Sequence, residues 1–402
     1  MAKSLFITYD GLTDPLGQSQ ILPYLTGLAK LGHDISILSC EKKDRYDSNN
    51  ELIKNICKAH NISWHHLFFH TSPPVLSKYY DLYSLKKKAE KLYKQNHYDI
   101  IHCRSYLSAN IGLMLKKKYG VKFLFDMRGF WVDERIDGGI WNKDKWFFKI
   151  AYKAWKKKEA SFVKGADHII SLTEAARNEI KRWPTYSSSP ITVIPCSADM
   201  NLFTIQTTEE KNEARNMIGI SKDAFVISYL GSLGTWYLVD EMLDLFKKIQ
   251  ETLPNSYFLV LTPDKREIVL EKAKQKQIAV DNIIIRFAKR QEVPVLMKAS
   301  DISISFIKDA YSKIASSPTK LGELLAMNIP VICNDIGDVA TIINNSKGGF
   351  IVKDFSTRQL ADAVKYALLH NKGTIDRQYV ENYYSLENAI QSYDLVYESL
   401  II

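Results

Sequence analysis

Short apolar runs recur along the whole chain, and each is separated from the next by enough residues for a helix. A first series lies at residues 5–9, 35–38, 64–69, 100–102, 123–125, 168–171 and 191–194. A second lies at residues 225–230, 257–261, 283–286, 302–306, 331–333 and 350–352. Such runs read as strands buried on both faces, and parallel neighbours need a helical crossover between them. The 402 residues exceed what one core usually serves. The economical expectation is an α/β chain of two doubly wound, parallel-sheet (Rossmann-like) domains facing across a cleft. Their predicted bounds are 1–195 and 196–380. Residues 381–402 should form a terminal helix, possibly crossing back onto the first domain, because Leu386, Ile390, Tyr393, Val396 and Leu400 recur at helical spacing. Ligands of such sheets bind at the carboxyl ends of strands.

Composition removes several alternatives. Hydrophobic residues at 46% and charged residues at 25% are globular values. No apolar run is long enough to span a bilayer. The five cysteines are scattered without a Cys-x-x-Cys pair, which argues against a disulfide framework or a thiolate zinc site and fits a reducing, cytoplasmic setting. The N-terminus enters a strand directly, so no leader is expected. No acidic or histidine cluster has metal-ligand spacing, and neither a metal nor another cofactor is expected. Charge is divided unevenly. Residues 1–200 carry 31 Lys and Arg against 20 Asp and Glu, a net of +11, and the remainder stands at −2. A basic first half suggests an anionic partner surface. The chain lacks the motifs of nucleic-acid modules, so lipid headgroups are favoured over nucleic acid.

The segment from Lys313 to Ile332 is the richest in chemistry. Ser316 or Ser317 suits a helix N-cap, with Pro318 at the first helical position. Amides of Thr319 and Lys320 would then point out of a positive helix end, a favourable place for phosphate. Lys320 adds a charge, and Glu323 lies one turn on, within reach of sugar hydroxyls. A plain capped surface helix, with Glu323 completing a capping box, would use the same residues.

This segment resembles the donor-site helix of family-4 glycosyltransferases of the GT-B fold, in a branch with a Ser-Pro-Thr-Lys sequence. Aligned on Pro318, the family's second glutamate falls on Glu323, which the resemblance implies would hold the nucleotide ribose. The first falls on Ala315. Gly11 to Gln20, followed by Gly32-His33, is similar to the family's N-terminal glycine loop, and implies donor-side roles for Gly17 and Gln18. Val193 to Asp199 with Phe203 resembles the interdomain hinge. Tyr229 to Tyr237, with Gly231 and Ser232, occupies the first turn of the second domain. Ser232 stands where relatives have arginine, and Trp236-Tyr237 lies near their lysine. Lys320 and Lys313 are the candidate replacements, joined by Ser317 and Thr319 on the donor side.

In the first half, residues 124–139 follow a strand and gather Asp126, Arg128, Gly129, Trp131 and three further acids. Relatives have His-Gly where this chain has Arg128-Gly129. Arginine cannot act as a base, yet it can bind a sugar or a departing phosphate. Asp126 and Arg128, with His102 near a strand end, are therefore the candidate catalytic residues. Seven lysines lie between Trp141 and Lys158. On a helical wheel Lys145, Lys149, Lys153 and Lys156 share an arc. Trp141, Phe148, Tyr152 and Trp155 share the next. Phe147, Ile150, Ala151 and Ala154 form a third, predicted to face the core. Lysines beside aromatics suit a helix lying on an anionic membrane surface.

Together the resemblance and these residues imply a retaining, metal-independent hexosyltransferase-like enzyme. It would move a sugar from a nucleotide sugar to a glycan or lipid-linked glycan in bacterial surface polysaccharide synthesis, peripherally at the inner face of the cell membrane. The alternatives are a GT-B sugar-nucleotide enzyme such as an epimerase, or a silent scaffold in a glycan-assembly complex.

Overall fold

A computed structural model describes residues 1–369 and 375–402. The chain divides into two compact units, Met1–Pro195 with Leu386–Ile402, and Cys196–Ser385. The second unit therefore runs a few residues past 380, because the helix Arg377–Tyr384 packs within it.

The first unit is built on seven parallel strands: β1 (Lys3–Ile7), β2 (Asp34–Glu41), β3 (Ser63–Phe68), β4 (Ile100–Arg104), β5 (Lys122–Asp126), β6 (His168–Ser171) and β7 (Ile191–Val193). Their order is β3-β2-β1-β4-β5-β6-β7. Leu5 pairs with Ser36 of β2 on one side and Ile101 of β4 on the other, so β1 is central. The second unit has six: β8 (Phe225–Leu230), β9 (Ser256–Leu261), β10 (Ile283–Arg286), β11 (Ile302–Ser305), β12 (Val331–Asn334) and β13 (Gly349–Val352). Their order is β10-β9-β8-β11-β12-β13. Every apolar run of the sequence falls on one of these strands. Helices cover both faces, which is why the strands read as continuous apolar runs rather than alternating ones. Strand order reverses at β1/β4 and at β8/β11, and each reversal opens a crevice at the carboxyl ends of its own sheet.

The helix Leu386–Ile401 belongs to the first unit. Its buried face (Ala389, Tyr393, Val396, Tyr397 and Leu400) joins the core built on Phe6, Leu25 and Leu28. Gly27 lies directly under Ile390, and no side chain would fit there without displacing it. The spacing read from the sequence is the spacing that packs.

Candidate functional site

In the second unit the crevice at the end of β8 is lined by the loop that begins at Gly231. Its φ of +127° is open to glycine. The loop is tied down by its own neighbours. Tyr229 Oη donates to the Ser232 carbonyl, Leu233 N–H donates to Asp264 Oδ2 at 2.5 Å, and Lys308 N–H donates to the Trp236 carbonyl at 2.8 Å. These bonds fix the places of Trp236 and Tyr237, between which and the helix Thr319–Ala326 two lysines lie. Lys313 Nζ sits 3.7 Å from the centre of the Trp236 ring. Lys320 Nζ lies 3.7 Å from the Tyr237 ring and 4.3 Å from the Tyr229 ring.

Lys320 is the unusual member. Only 8% of the residue is exposed, and its Nζ has no hydrogen-bond partner among the described residues. A side chain on Gly231 would come within 3.4 Å of that nitrogen. Burial holds the Lys320 ammonium well below its ordinary pKa, although Glu323 favours the charged form. A buried ammonium with two ring faces and no oxygen acceptor carries an unmet demand for a counter-anion.

The helix starts one residue later than expected. Pro318 is its N-cap and gives no side-chain cap bond. Ser317 Oγ instead accepts from the backbone N–H of Cys196 at 3.2 Å, so Ser317 braces the second unit's first residue rather than the helix. Thr319 opens the helix. Gly322 is required by close packing, because a Cβ there would meet Tyr384 Cγ at 2.7 Å. Glu323 is buried and bonds Arg290 Nη1 at 2.5 Å through Oε1. Burial pushes its carboxyl pKa up, while Arg290 and Lys320 pull it down. The Arg290 guanidinium also lies 4.7 Å from the Phe203 ring centre. Sequence reading missed Arg290, and it missed the Tyr229–Tyr237 cage around Lys320.

In the first unit β5 ends at Asp126, and Arg128 follows with φ +58°. Ser105, just past the neighbouring β4, has φ +66°. Two adjacent non-glycine residues in the left-handed region cost about 1–3 kcal/mol each, strain that collects at functional sites. Asp126 receives Tyr393 Oη at 3.1 Å, and faces His102 Nε2 at 3.6 Å and Arg128 Nη1 at 3.8 Å. His102 Nδ1 is 2.9 Å from Tyr397 Oη. Arg104 Nε lies 3.4 Å from Asp10 Oδ2.

Burial is the largest influence on Asp126 and would raise its pKa, yet Arg128, His102 and Arg104 outweigh it and hold it low. Burial lowers His102 against the pull of Asp126. His102 and Asp126 are enclosed by the terminal helix, whose Tyr393 and Tyr397 pack against the His102 ring. Gly17 and Gln18 lie on the first helix after β1. The space beside Gly17 is filled by the backbone of Gly11 and Leu12. Gln18 Nε2 donates to the Thr13 carbonyl at 3.1 Å. Their close approach is to this chain's own loop, which Glu41 holds further by accepting from Leu12 and Thr13 N–H at 2.8 and 3.0 Å.

The lysine-rich helix Trp146–Gly165 inverts the expected arcs. Tyr152 Oη donates to Asp133 at 2.8 Å, Trp155 packs on Trp131 with centroids 5.0 Å apart, and Phe148 stacks on Trp141. Phe147 and Ile150, expected in the core, are in solvent together with Trp146. Lys145, Lys149 and Lys153 are exposed. Lys156 is not: its Nζ bonds Asp133 Oδ2 at 3.0 Å and Glu159, so it neutralises buried acids and leaves the lysine surface. No helix among the described residues is long and apolar enough to cross a membrane.

Comparison with known proteins matches both units. Residues 21–202 fit the model described as Glycosyltransferase Family 4, and residues 210–385 that of Glycosyl transferases group 1. The chain is 26% identical over 219 residues to the putative teichuronic acid biosynthesis glycosyltransferase TuaC of Bacillus subtilis, covering 54% of this chain and 50% of that protein. It is 20% identical over 294 residues to a D-inositol 3-phosphate glycosyltransferase of Actinosynnema mirum, covering 69% of this chain and 66% of the relative. The alignments thus span half to just under two thirds of these relatives' lengths. The crystal structure of Anabaena Alr3699/HepE in complex with UDP and glucose superposes with a TM-score of 0.71 at 12% identity, covering 99% of this chain and 100% of that one. Sequence matches across both units and a shared two-sheet architecture lead to one assignment: the chain belongs to the family-4, group 1 glycosyltransferases of the GT-B fold.

Proposed function

We propose that the chain transfers a sugar from a nucleoside diphosphate sugar to a glycan or lipid-linked glycan, with retention of configuration and without a metal. The observation that carries the reading is Lys320. Its buried Nζ, caged by Tyr229 and Tyr237 above Gly231, lacks the anion that a diphosphate would supply. A cation in a water-poor setting stabilises charge developing on a leaving phosphate far better than one in water. Lys313, parked over Trp236, is the second cation of this site. Glu323 accepts the ribose hydroxyls, with Arg290 fixing its carboxylate. In this reaction the leaving phosphate takes the acceptor's proton, so no protein base is required. The first unit binds the acceptor. Arg128 is its candidate contact, held in place by Asp126 and, behind it, His102.

Two similar proteins support the chemistry by name. HepE was solved with UDP and glucose, and TuaC is named for teichuronic acid biosynthesis. We therefore favour a UDP-sugar donor, a role in surface polysaccharide synthesis, and a cytoplasmic enzyme peripheral at the inner face of the membrane. The exposed lysines of the helix Trp146–Gly165 would meet that membrane's anionic surface.

The test is calorimetric titration with UDP, GDP and CMP in the presence of a chelator, followed by product analysis of the matching sugar nucleotide with and without a glycan acceptor. UDP binding, with acceptor-dependent turnover to an anomerically retained product, is the expected result. Acceptor-independent conversion of the sugar would favour the epimerase alternative. Absence of any nucleotide binding would leave only the scaffold.

A further inference from the structure

The helix Pro74–Asn96 buries one side against the first unit's sheet through Ser77, Asp81, Leu85, Ala89 and Leu92. Asp81 latches it there. Its carboxylate accepts from Tyr9 Oη at 3.2 Å and from His70 N–H at 3.0 Å, and lies 2.5 Å from His70 Nδ1. The opposite side of the same turns carries Leu76, Tyr79, Tyr80 and Tyr83, within an arc of about 100°. All four are in solvent, Leu76 at 68% and Tyr79 at 70% exposure. Lys86 borders this arc and Lys87 lies within it, its Nζ 5.3 Å from the Tyr83 ring. No acidic side chain is exposed on these turns, since Asp81 is buried.

Topology sets this patch beside another. Strand order runs from β1 to β2 to β3 in one direction, and the crossover from β3 to β4 returns in the other. Right-handed crossovers then put the helices Pro74–Asn96, Ser105–Tyr119 and Trp146–Gly165 on one face of the sheet. Ser105–Tyr119 packs between the outer two, which separates them by about 20 Å at ordinary helix spacing. Both outer helices begin beyond the carboxyl ends of strands, so their first turns lie at the same end of the sheet. At that end Trp146–Gly165 exposes Trp146 at 71% and Ile150 at 59%, with Phe147 beside them and Lys145, Lys149 and Lys153 around them.

We infer that the two first turns are a pair of feet that insert into the interfacial region of an anionic bilayer, so that Leu76, Tyr79 and Tyr83 are membrane contacts as much as Trp146, Phe147 and Ile150. Two apolar patches, each rimmed by lysines, on the same face and end of one unit suit a flat partner that is apolar within and anionic at its surface. The inference rests on the membrane reading above and adds to it a second point of contact. One foot leaves a peripheral protein free to roll about it, whereas two define which edge of the sheet meets the lipid.

The test uses the full chain and extruded vesicles of phosphatidylglycerol with phosphatidylcholine, or of phosphatidylcholine alone, at low and high salt. Two variants are compared with the wild type: Leu76→Ser with Tyr79→Ser and Tyr83→Ser, and Lys149→Gln with Lys153→Gln. The triple variant should lose about tenfold or more in partitioning onto the mixed vesicles, because several apolar side chains no longer leave water. Its residual binding should keep its salt dependence, whereas the lysine variant's should flatten. Circular dichroism and thermal melting should be the same in all three proteins, which reports an intact first unit. Wild-type partitioning by the triple variant, while the lysine variant is released, would overturn the second foot and keep the first. No vesicle binding by the wild type would overturn the membrane reading itself, leaving the glycosyltransferase reading to the UDP titration. Self-association in the absence of vesicles, abolished in the triple variant, would overturn the inference in favour of a contact between copies of the chain.

Discussion

Lys320 and Asp126 are both buried charges near the carboxyl ends of strands, one in each unit. Asp126 has its charge balanced: Tyr393 donates to its Oδ2 at 3.1 Å and His102 and Arg128 lie within 4 Å, although its Oδ1 has no hydrogen-bond partner among the described residues. Lys320 has ring faces and a glycine loop around it and no acceptor for its protons. An internally balanced charge is bound up in holding the fold. An unbalanced one raises the free energy of the empty protein and lowers it again when an anion arrives. The difference separates a framework from a receptor more sharply than residue type does, since either position could have been named catalytic.

The strongest way to break this contrast is Lys320→Ala. Turnover should fall on the order of 10²–10³-fold, the scale for losing one stabilising donor at a developing anion. Thermal stability should hold or rise, because a desolvated cation has been removed. A lowered melting temperature with normal turnover would make Lys320 structural.

Glu323→Gln comes next. It turns a charged acceptor into a neutral one, and should cost about 1–3 kcal/mol of nucleotide affinity by calorimetry. Unchanged affinity would reduce the Glu323–Arg290 pair to a brace between two segments of the second unit. On the framework side, Tyr393→Phe removes one hydrogen bond to Asp126. It should lower unfolding free energy by about 1 kcal/mol in denaturant melts, with kcat left within a few-fold. A drop in kcat as large as that of Lys320→Ala would erase the distinction.

The smallest effect is a proton. Burial has lowered the pKa of Lys320 in the free protein, and a bound diphosphate favours its charged form and raises that pKa. Binding should therefore take up as much as a proton between the free-state pKa and the bound one. Affinity should weaken as pH rises through that window. Titrations in two buffers of different ionisation enthalpy read this directly. Zero uptake throughout the alkaline range would mean that the anion is held by other groups.

Much of this was legible in the sequence, and the exceptions have physical causes. The strands announced themselves because helices on both faces demand unbroken apolar runs. Lys320 and Glu323 announced themselves because they share one short helix. Arg290 did not, since its partner is 33 residues away and a fold is needed to join them. The tyrosine cage was hidden for the same reason: Tyr229 and Tyr237 straddle a turn whose path is set by bonds to Asp264 and Lys308. The helix Trp146–Gly165 shows a different limit. Its periodicity fixed which residues share an arc but not which arc faces inward, as both candidates were apolar. Asp133 decides it by taking bonds from Tyr152 and Lys156. His102 looked available because nothing in residues 100–105 reveals that a helix nearly three hundred positions later will cover it.

That late helix has a consequence for how the molecule is made. Leu386–Ile402 completes a unit whose other residues end at Pro195, so the second unit is an insertion within the first. On a ribosome the N-terminal unit emerges with the groove over Gly27 and the His102 ring still uncovered. At roughly 5–20 residues per second, the wait for its last helix is on the order of ten seconds or longer. The inserted unit is contiguous and can fold during that wait, while the older part of the chain stays unfinished and in need of shelter. Any nascent chain that stops before residue 386 carries a finished second unit and a first unit whose core still lacks its closing helix.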